Sequence, residues 1–566
     1  MNHPRQGIKD IPDACAQLGM KYVVIAPGSR NAPLIISFNR EKRIKCLSVT
    51  DERSAGYFAL GISLATDSPV GLVCTSGTAA LNFGPAIAEA FYQNIPLVVF
   101  TADRPAELID QADGQTIRQT DVFENHVKRS FTLPVESSLD TDLYFSNRLV
   151  SEALGLALQY PRGPVHLNVP LREPLYGTLP EKSDNTVIRN AEVTNHLSEQ
   201  ANTNIITKWQ LYRKKMVVAG FGQPDEALQN ILSEMANDPS VVIIAENLSN
   251  VCNHRFISSP ERFFAALDEN EKSKFAPDLL VTIGKSVVSK KMKQFIRKNK
   301  PSEHWHVGPY DSYTDTYQCL SLNIPVAPGS FFRKIIQSGF SDNSPESFYE
   351  VYASKEKDIL ASHHQYLAAA PFSDLKAFEI ILGALPRETV LHLANSTPVR
   401  YAQLFETRDD ITYYSNRGTS GIDGCVSTAA GYACVSDKPV VVITGDLAFI
   451  YDSNAMWNNY LPEQFRIIVI NNGGGNIFRL IETGPETDAV KDFFETPHKV
   501  DLKQLTSAFG LKHYFCSDHE SLEKGLNSLL SSKGPSVLEV KTDSDTDVNV
   551  FRNYFKEMGG FENLRI

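Results

Sequence analysis

The sequence predicts three successive α/β units, each a doubly wound parallel sheet with helices on both faces. Three observations lead there. Short runs rich in Val and Ile recur along the chain, the segments between them carry helical patterns, and two polar stretches interrupt the series. Strands buried on both faces read as continuous apolar runs, and their alternation with helices marks a parallel sheet. At 566 residues the chain is too long for one hydrophobic core and divides into three or four units at roughly 150 residues each.

The first series has runs at 22–26, 70–75, 97–101 and 165–169, within a domain expected at 1–180. A polar stretch at about 180–204 reads as a linker. The second series, at 216–219, 241–245, 279–283 and 304–307, belongs to a domain expected at 205–350. A polar helical stretch at 355–373 leads into the third, at 390–393, 440–444, 467–470 and 537–540, in a domain expected at 372–566. No short tandem repeat is present, which argues against a solenoid.

The composition, 42% hydrophobic and 21% charged, is that of a globular protein. A net charge of -11 argues against general nucleic-acid binding but leaves room for a local basic pocket. The eight cysteines, at 15, 46, 74, 252, 319, 425, 434 and 516, include no CxxC pair and read as reduced, mostly buried thiols. The first ten residues lack the apolar centre of a signal peptide, and no apolar run approaches the ~20 residues that span a bilayer. A cytoplasmic protein without a membrane span is expected.

Doubly wound sheets bind ligands at the carboxyl ends of their strands, so the loops after these runs are the places to look for chemistry. Run 440–444 ends in Gly445 and Asp446; run 467–470 ends in Asn471, Asn472 and three glycines, 473–475. A diphosphate needs a hard divalent cation, and a carboxylate, an amide oxygen and a backbone carbonyl suit Mg²⁺. Asp446, Asn472 and the Gly474 carbonyl supply that set. The glycines permit close approach to a phosphate, and a helix beginning near Leu447 would turn its N–H groups toward the anion. Taken singly, Gly-Asp is most often a helix cap and Asn-Asn-Gly a turn. Further loops carry Gly28-Ser29-Arg30, Thr75-Ser76-Gly77, Arg104, Gln115, Asn395-Ser396 with Arg400, and Arg417 through Gly421 and Ile422. A Gly220-Phe221-Gly222 turn followed by Asp225 is a weak dinucleotide fingerprint lacking its third glycine, so neither FAD nor NAD is expected there.

Together, Gly-Asp closing one Val/Ile strand and Asn-Asn closing the next resemble the motif of the thiamine-diphosphate-dependent enzymes. The segments 28–30, 101–110, 115–119 and 414–424 resemble, within that family, the menaquinone-pathway synthases. The resemblance implies pyrimidine-binding, central and diphosphate-binding domains in that order, with Mg²⁺ or Mn²⁺ on Asp446, Asn472 and Gly474. It assigns Glu52 as the carboxylate facing the cofactor's aminopyrimidine ring in a partner subunit, which makes the protein a homodimer or homotetramer with active sites between subunits. It adds Thr75, Ser76, Gly77, Ser396, Gly421, Leu447 and Ile477 as cofactor contacts, and Ile422 as the aliphatic residue over which the cofactor bends.

The implied reaction decarboxylates 2-oxoglutarate and adds the succinyl unit to isochorismate. Both substrates are dicarboxylates, for which guanidinium groups are suited. Arg30, Arg400 and Arg417, with Gln115, match the catalytic positions, while Ser29, Arg104, Lys290, Lys291, Phe478 and Ile481 complete the implied substrate site. Lys291 stands where arginine is expected, and Gly473 where the family often has an amide. Another carboligase or a 2-oxo acid decarboxylase on the same scaffold is the alternative.

Overall fold

The computed structural model describes residues 3–136, 138–177, 179–181, 185–191, 193–310, 312–340, 347–480 and 490–559. Among these, seventeen strands form three sheets in which every pairing is parallel. The first contains β1 (Tyr22–Ile25), β2 (Lys45–Ser48), β3 (Val70–Cys74), β4 (Leu97–Asp103), β5 (Ser130–Thr132) and β6 (Val165–Pro170), ordered β2-β1-β3-β4-β6-β5. The second contains β7 (Lys215–Ala219), β8 (Val241–Ala245), β9 (Leu279–Ile283), β10 (Glu303–Gly308) and β11 (Leu322–Pro325), ordered β11-β10-β9-β7-β8. The third contains β12 (Val390–Leu393), β13 (Thr412–Tyr414), β14 (Val440–Gly445), β15 (Phe465–Asn471), β16 (Lys512–Cys516) and β17 (Ser536–Lys541), ordered β13-β12-β14-β15-β17-β16. This is the doubly wound α/β class expected.

Every apolar run read from the sequence is a strand. The five strands not read, β2, β5, β11, β13 and β16, all lie at sheet edges. An edge strand has one side open and needs less apolar sequence: β2 is Lys-Cys-Leu-Ser with only Leu47 buried, whereas β3 is buried throughout. The stretch expected to be a linker up to 204 ends earlier, because Ser198 accepts from the Ala201 N–H and starts a helix over Glu199–Leu211. Asp225, at the missing third glycine, caps the helix Glu226–Met235.

The first and third sheets are joined by two helices, Glu52–Thr66 and Cys425–Ala433. Glycines let their backbones nearly touch: a methyl group at Gly61 would stand 2.0 Å from the Thr428 carbonyl oxygen, and one at Gly431 2.0 Å from that of Phe58. Ser54 and Ser427 share a hydroxyl hydrogen bond of 2.8 Å across this contact. One apolar cluster runs from Val24 and Phe58 in the first sheet's unit to Val442 and Ile467 in the third's; another runs from Met216 and Phe263 to Leu391 and Ile468. The third unit therefore packs on both others. Among the described residues, no helix is long and apolar enough to cross a membrane.

Candidate active site

β14 and β15 are neighbours, with Gly445 in register with Ile470, so the loops that leave them meet. Asp446 opens the helix Asp446–Tyr451 and is buried; its Oδ1 accepts from Leu447 N at 2.7 Å and its Oδ2 from Gly473 N at 2.8 Å. The helix thus begins one residue before Leu447. Asn472 donates through Nδ2 to Asp374 Oδ2 at 3.1 Å, which leaves its amide oxygen for another partner. Gly473 adopts φ 89°, a conformation natural to glycine, and a methyl group at Gly474 would lie 2.6 Å from the Glu495 carbonyl oxygen. A carboxylate, an amide oxygen and glycine carbonyls gathered at two adjacent strand ends form a hard-oxygen donor set, which fits a Mg²⁺-class cation with a diphosphate.

At the first sheet, Gly28 presses on the β3 loop so tightly that a methyl group there would meet Thr75 Cβ at 2.4 Å. Arg30 N donates to Thr75 Oγ1 at 3.2 Å, and Gly77, at φ 87°, donates through N to Gln119 Oε1 at 2.9 Å. Ser76 Oγ is buried without a hydrogen-bond partner among the described residues. Glu52 begins its helix behind the cap Asp51, whose side chain accepts from Ser54 N at 2.8 Å and from Asn454 Nδ2 at 2.6 Å. Burial, with the charge of Glu52 added, holds the Cys74 thiol well above its ordinary range, so Glu52 and the 75–77 loop lie together. The loop that follows Arg104 holds Asp110, Ala112, Gln115 and Asp121 at positive φ, a concentration of strain typical of ligand clamps. Ser29 and Gln115 are exposed at the rim.

The arginines fall into two pairs. Arg30, 4% exposed, donates to the Leu171 carbonyl at 3.1 Å and to Glu173 Oε1 at 3.2 Å; burial lowers its pKa and the neighbouring Arg104 lowers it further. Arg104 itself holds the Gly114 carbonyl at 2.8 Å. Arg400 donates to the Ser396 carbonyl, and Arg417 to Asn395 Oδ1 at 2.9 Å. Burial lowers Arg400, and Arg417 adds to the shift. Ser396 has φ 75°, an unusual conformation for a residue with a Cβ. Gly421 accepts from Asn395 Nδ2 at 2.7 Å, which ties the Ile422 loop to the same strand end. Ile477 is buried on the short helix Ile477–Leu480, and the Phe478 ring lies 5.6 Å from that of Phe494. Ile481 lies outside the described residues.

Comparison with known proteins matches residues 5–133 to the thiamine pyrophosphate enzyme N-terminal TPP binding domain and residues 396–540 to the corresponding C-terminal TPP binding domain. A Flavobacterium psychrophilum protein named 2-succinyl-5-enolpyruvyl-6-hydroxy-3-cyclohexene-1-carboxylate synthase is 42% identical over 97% of this chain and 98% of its own. Proteins of the same name from Desulfotalea psychrophila and Porphyromonas gingivalis are each 40% identical, covering 95% and 98% of this chain and 98% of each relative. The chain belongs to this synthase family. It is a thiamine-diphosphate-dependent enzyme of the menaquinone-biosynthesis type.

Three neighbours of the site escaped the sequence reading. Lys293, on the helix Lys290–Lys298, has its pKa lowered by burial and, against the opposing charge of Glu246, by that of Arg417, so it lies within electrostatic reach of that guanidinium; Lys290 is exposed at the start of the same helix. Lys291 lies beside Glu261, to which its N–H donates at 3.1 Å. Asp374, buried with Asp547, holds Asn472; burial raises both carboxyl groups, and the charge of Asp374 raises Asp547 further. His498 Nε2 stands 3.2 Å from Asp446 Oδ2. The helical period of Lys290–Lys298 was a usable signal for Lys293, since position 293 shares the face of Ile296 toward the protein. Nothing local marks Asp374 or His498, which reach the site from distant segments.

Proposed function

We propose that this synthase-family chain decarboxylates 2-oxoglutarate and adds the resulting succinyl unit in 1,4 fashion to isochorismate, giving 2-succinyl-5-enolpyruvyl-6-hydroxy-3-cyclohexene-1-carboxylate and CO₂. The observation that carries the substrate assignment is two pairs of neighbouring arginines, one of them buried and three half-buried: Arg30, whose pKa Arg104 lowers, and Arg400, whose pKa Arg417 lowers. Like charges held close together where water is partly excluded are favoured when anions lie between them, and two dicarboxylates supply such anions.

In this reading Asp446, Asn472 and the Gly474 carbonyl hold Mg²⁺ or Mn²⁺, while the N–H groups near Leu447 and the glycine loop receive the diphosphate. Bound thiamine diphosphate supplies the nucleophilic carbon and stabilises the negative charge left when CO₂ departs. Thr75, Ser76, Gly77, Ser396, Gly421, Ile422 and Ile477 orient it, and Glu52 exchanges a proton with its pyrimidine ring. Arg30, Arg400 and Arg417 bind substrate carboxylates, assisted by Arg104, Lys290 and Lys291; Ser29 and Gln115 add neutral hydrogen bonds, and Phe478 and Ile481 an apolar wall.

Glu52 serves the cofactor of a second copy in a cytoplasmic homodimer or homotetramer. The resemblance to the synthase family supports this, because it sets the first-domain carboxylate of one copy against the cofactor held by the third domain of another.

The test is CO₂ release from 2-oxoglutarate by the pure protein with thiamine diphosphate and Mg²⁺, with and without isochorismate, followed by mass analysis of the product. Isochorismate-dependent release with the succinyl adduct is expected. Fast release without isochorismate would assign the chain to another carboligase or a decarboxylase.

A further inference from the structure

The central unit contains a group of side chains with no part in the chemistry above. His304 lies on β10 and is 1% exposed; Asp315 and Cys319 lie on the loop between β10 and β11. Their nearest ligand atoms, one from each residue, all fall within 4.8 Å of one another. His304 Nε2 is 3.0 Å from Thr282 Oγ1, so that edge of the ring is engaged. Its Nδ1 is buried, has no hydrogen-bond partner among the described residues, and points at Asp315 Oδ1 from 3.8 Å. That distance is too long for a hydrogen bond. It is close to the ~3.4 Å that separates two ligands each about 2.0–2.1 Å from a tetrahedral zinc ion.

From this geometry we infer that His304 Nδ1, the Asp315 carboxylate and the Cys319 thiolate form a Zn²⁺ site, with a fourth position left to water. Imidazole, thiolate and carboxylate together select a borderline-soft ion over Mg²⁺. The Thr282 hydroxyl orients the imidazole, as outer partners of metal-bound histidines do.

The electrostatics agree. Burial depresses His304 to about 4, which favours the neutral ring that a metal ligand requires. The N–H groups of Cys319 and Leu320, at 3.0 and 3.1 Å, outweigh burial and keep Asp315 below its ordinary range. Burial and the Asp315 charge raise the Cys319 thiol to about 11, a repulsion that a divalent cation between them reverses. The loop is fastened to the strand beside these groups: Ser321 N donates to the His304 carbonyl at 2.9 Å, and His304 N to Ser321 Oγ at 3.0 Å. Zinc there would pin the 312–320 loop to β10 at the wall of a cavity of about 300 Å³, which His304, Thr316 and Tyr317 help to line.

The experiment uses the full chain loaded with thiamine diphosphate and excess Mg²⁺, so that the oxygen site is saturated. Co²⁺ is titrated as a spectroscopic probe, Zn²⁺ is used to displace it, and retained zinc is measured after gel filtration. One zinc per chain and a thiolate-to-cobalt charge-transfer band are expected. Cys319→Ser should abolish the band, and Thr282→Val should weaken zinc binding about 10- to 100-fold. Cys252→Ser should leave both signals unchanged. Retained thiamine diphosphate binding reports that each variant is folded. Absence of the band in the wild type, its persistence in Cys319→Ser, or its loss in Cys252→Ser would each overturn the site.

Discussion

The first and third sheets are built to one plan and equipped for different chemistry. Each runs in the order second, first, third, fourth, sixth, fifth strand of its own series, and each carries its polar residues in the loops after the first, third and fourth strands. After the first strand both place an arginine, Arg30 in one and Arg400 in the other. After the third, the first sheet has Thr75, Ser76 and Gly77 where the third has Gly445 and Asp446; after the fourth, it has Arg104 where the third has Asn472 and glycines. Identical strand order thus fixes where ligands can sit, while a few loop residues decide which charge is welcomed. In the proposed function the oxygen donors make the third sheet the cation end, and the first sheet supplies Glu52 and cations.

Changes on either side sharpen this contrast. Glu52→Gln on the first-sheet side should lower turnover about 10²- to 10⁴-fold while thiamine diphosphate still binds, as measured by steady-state rates beside cofactor titration. Loss of cofactor binding to the same degree would make Glu52 a structural residue instead. Asp446→Asn on the third-sheet side should weaken Mg²⁺-dependent cofactor retention by about 100-fold or more, because a coordinating carboxylate is replaced by a neutral amide. If both substitutions gave the same phenotype, the proposed division of labour would fail.

Arg417→Ala should raise the KM for a dicarboxylate substrate about 10- to 100-fold, the scale of a charged hydrogen bond. Lys293→Ala, within electrostatic reach of Arg417, should show a smaller effect in the same assay. Gly61→Ala tests the seam between the two sheets: with 2.0 Å to a backbone carbonyl, the added methyl group forces the helices apart and should cost about 1–3 kcal/mol in denaturant unfolding.

The smallest effect concerns Asp452, buried against that seam, where it accepts from Ser427 N and Oγ at 2.7 Å each. Burial raises its pKa from 3.8 to about 7. The folded state therefore holds its proton more tightly than the unfolded chain does. Its stabilising contribution is complete below about pH 4 and is lost as pH rises through 7. Thermal unfolding of Asp452→Asn should accordingly depend less on pH between 4 and 7 than that of the parent.

Much of this was legible without coordinates because the relevant signals are local. β14 is an uninterrupted apolar run ending in Gly445 and Asp446, and a strand buried on both faces must look so. Asp446, Asn472 and Gly474 were legible for the same reason: they follow two such runs directly. Five of the six edge strands were not, β8 with its wholly buried Val-Val-Ile-Ile-Ala being the exception. In β16, Lys-His-Tyr-Phe-Cys, only Cys516 is fully buried, so the residues need not be apolar; the neighbour β17 makes them a strand.

The sequence by itself therefore determined the α/β class, the central strands and the residues within a loop's reach of their ends, since burial and turn geometry act over a few consecutive positions. Only the tertiary structure decided which charges meet. It brings Arg104 to Arg30, Lys293 to Arg417 and Asp374 to Asn472, and it turns His304 toward Asp315 and Cys319. Those encounters depend on how separate segments pack, and electrostatic interaction is governed by distance in space, to which separation along the chain is a poor guide.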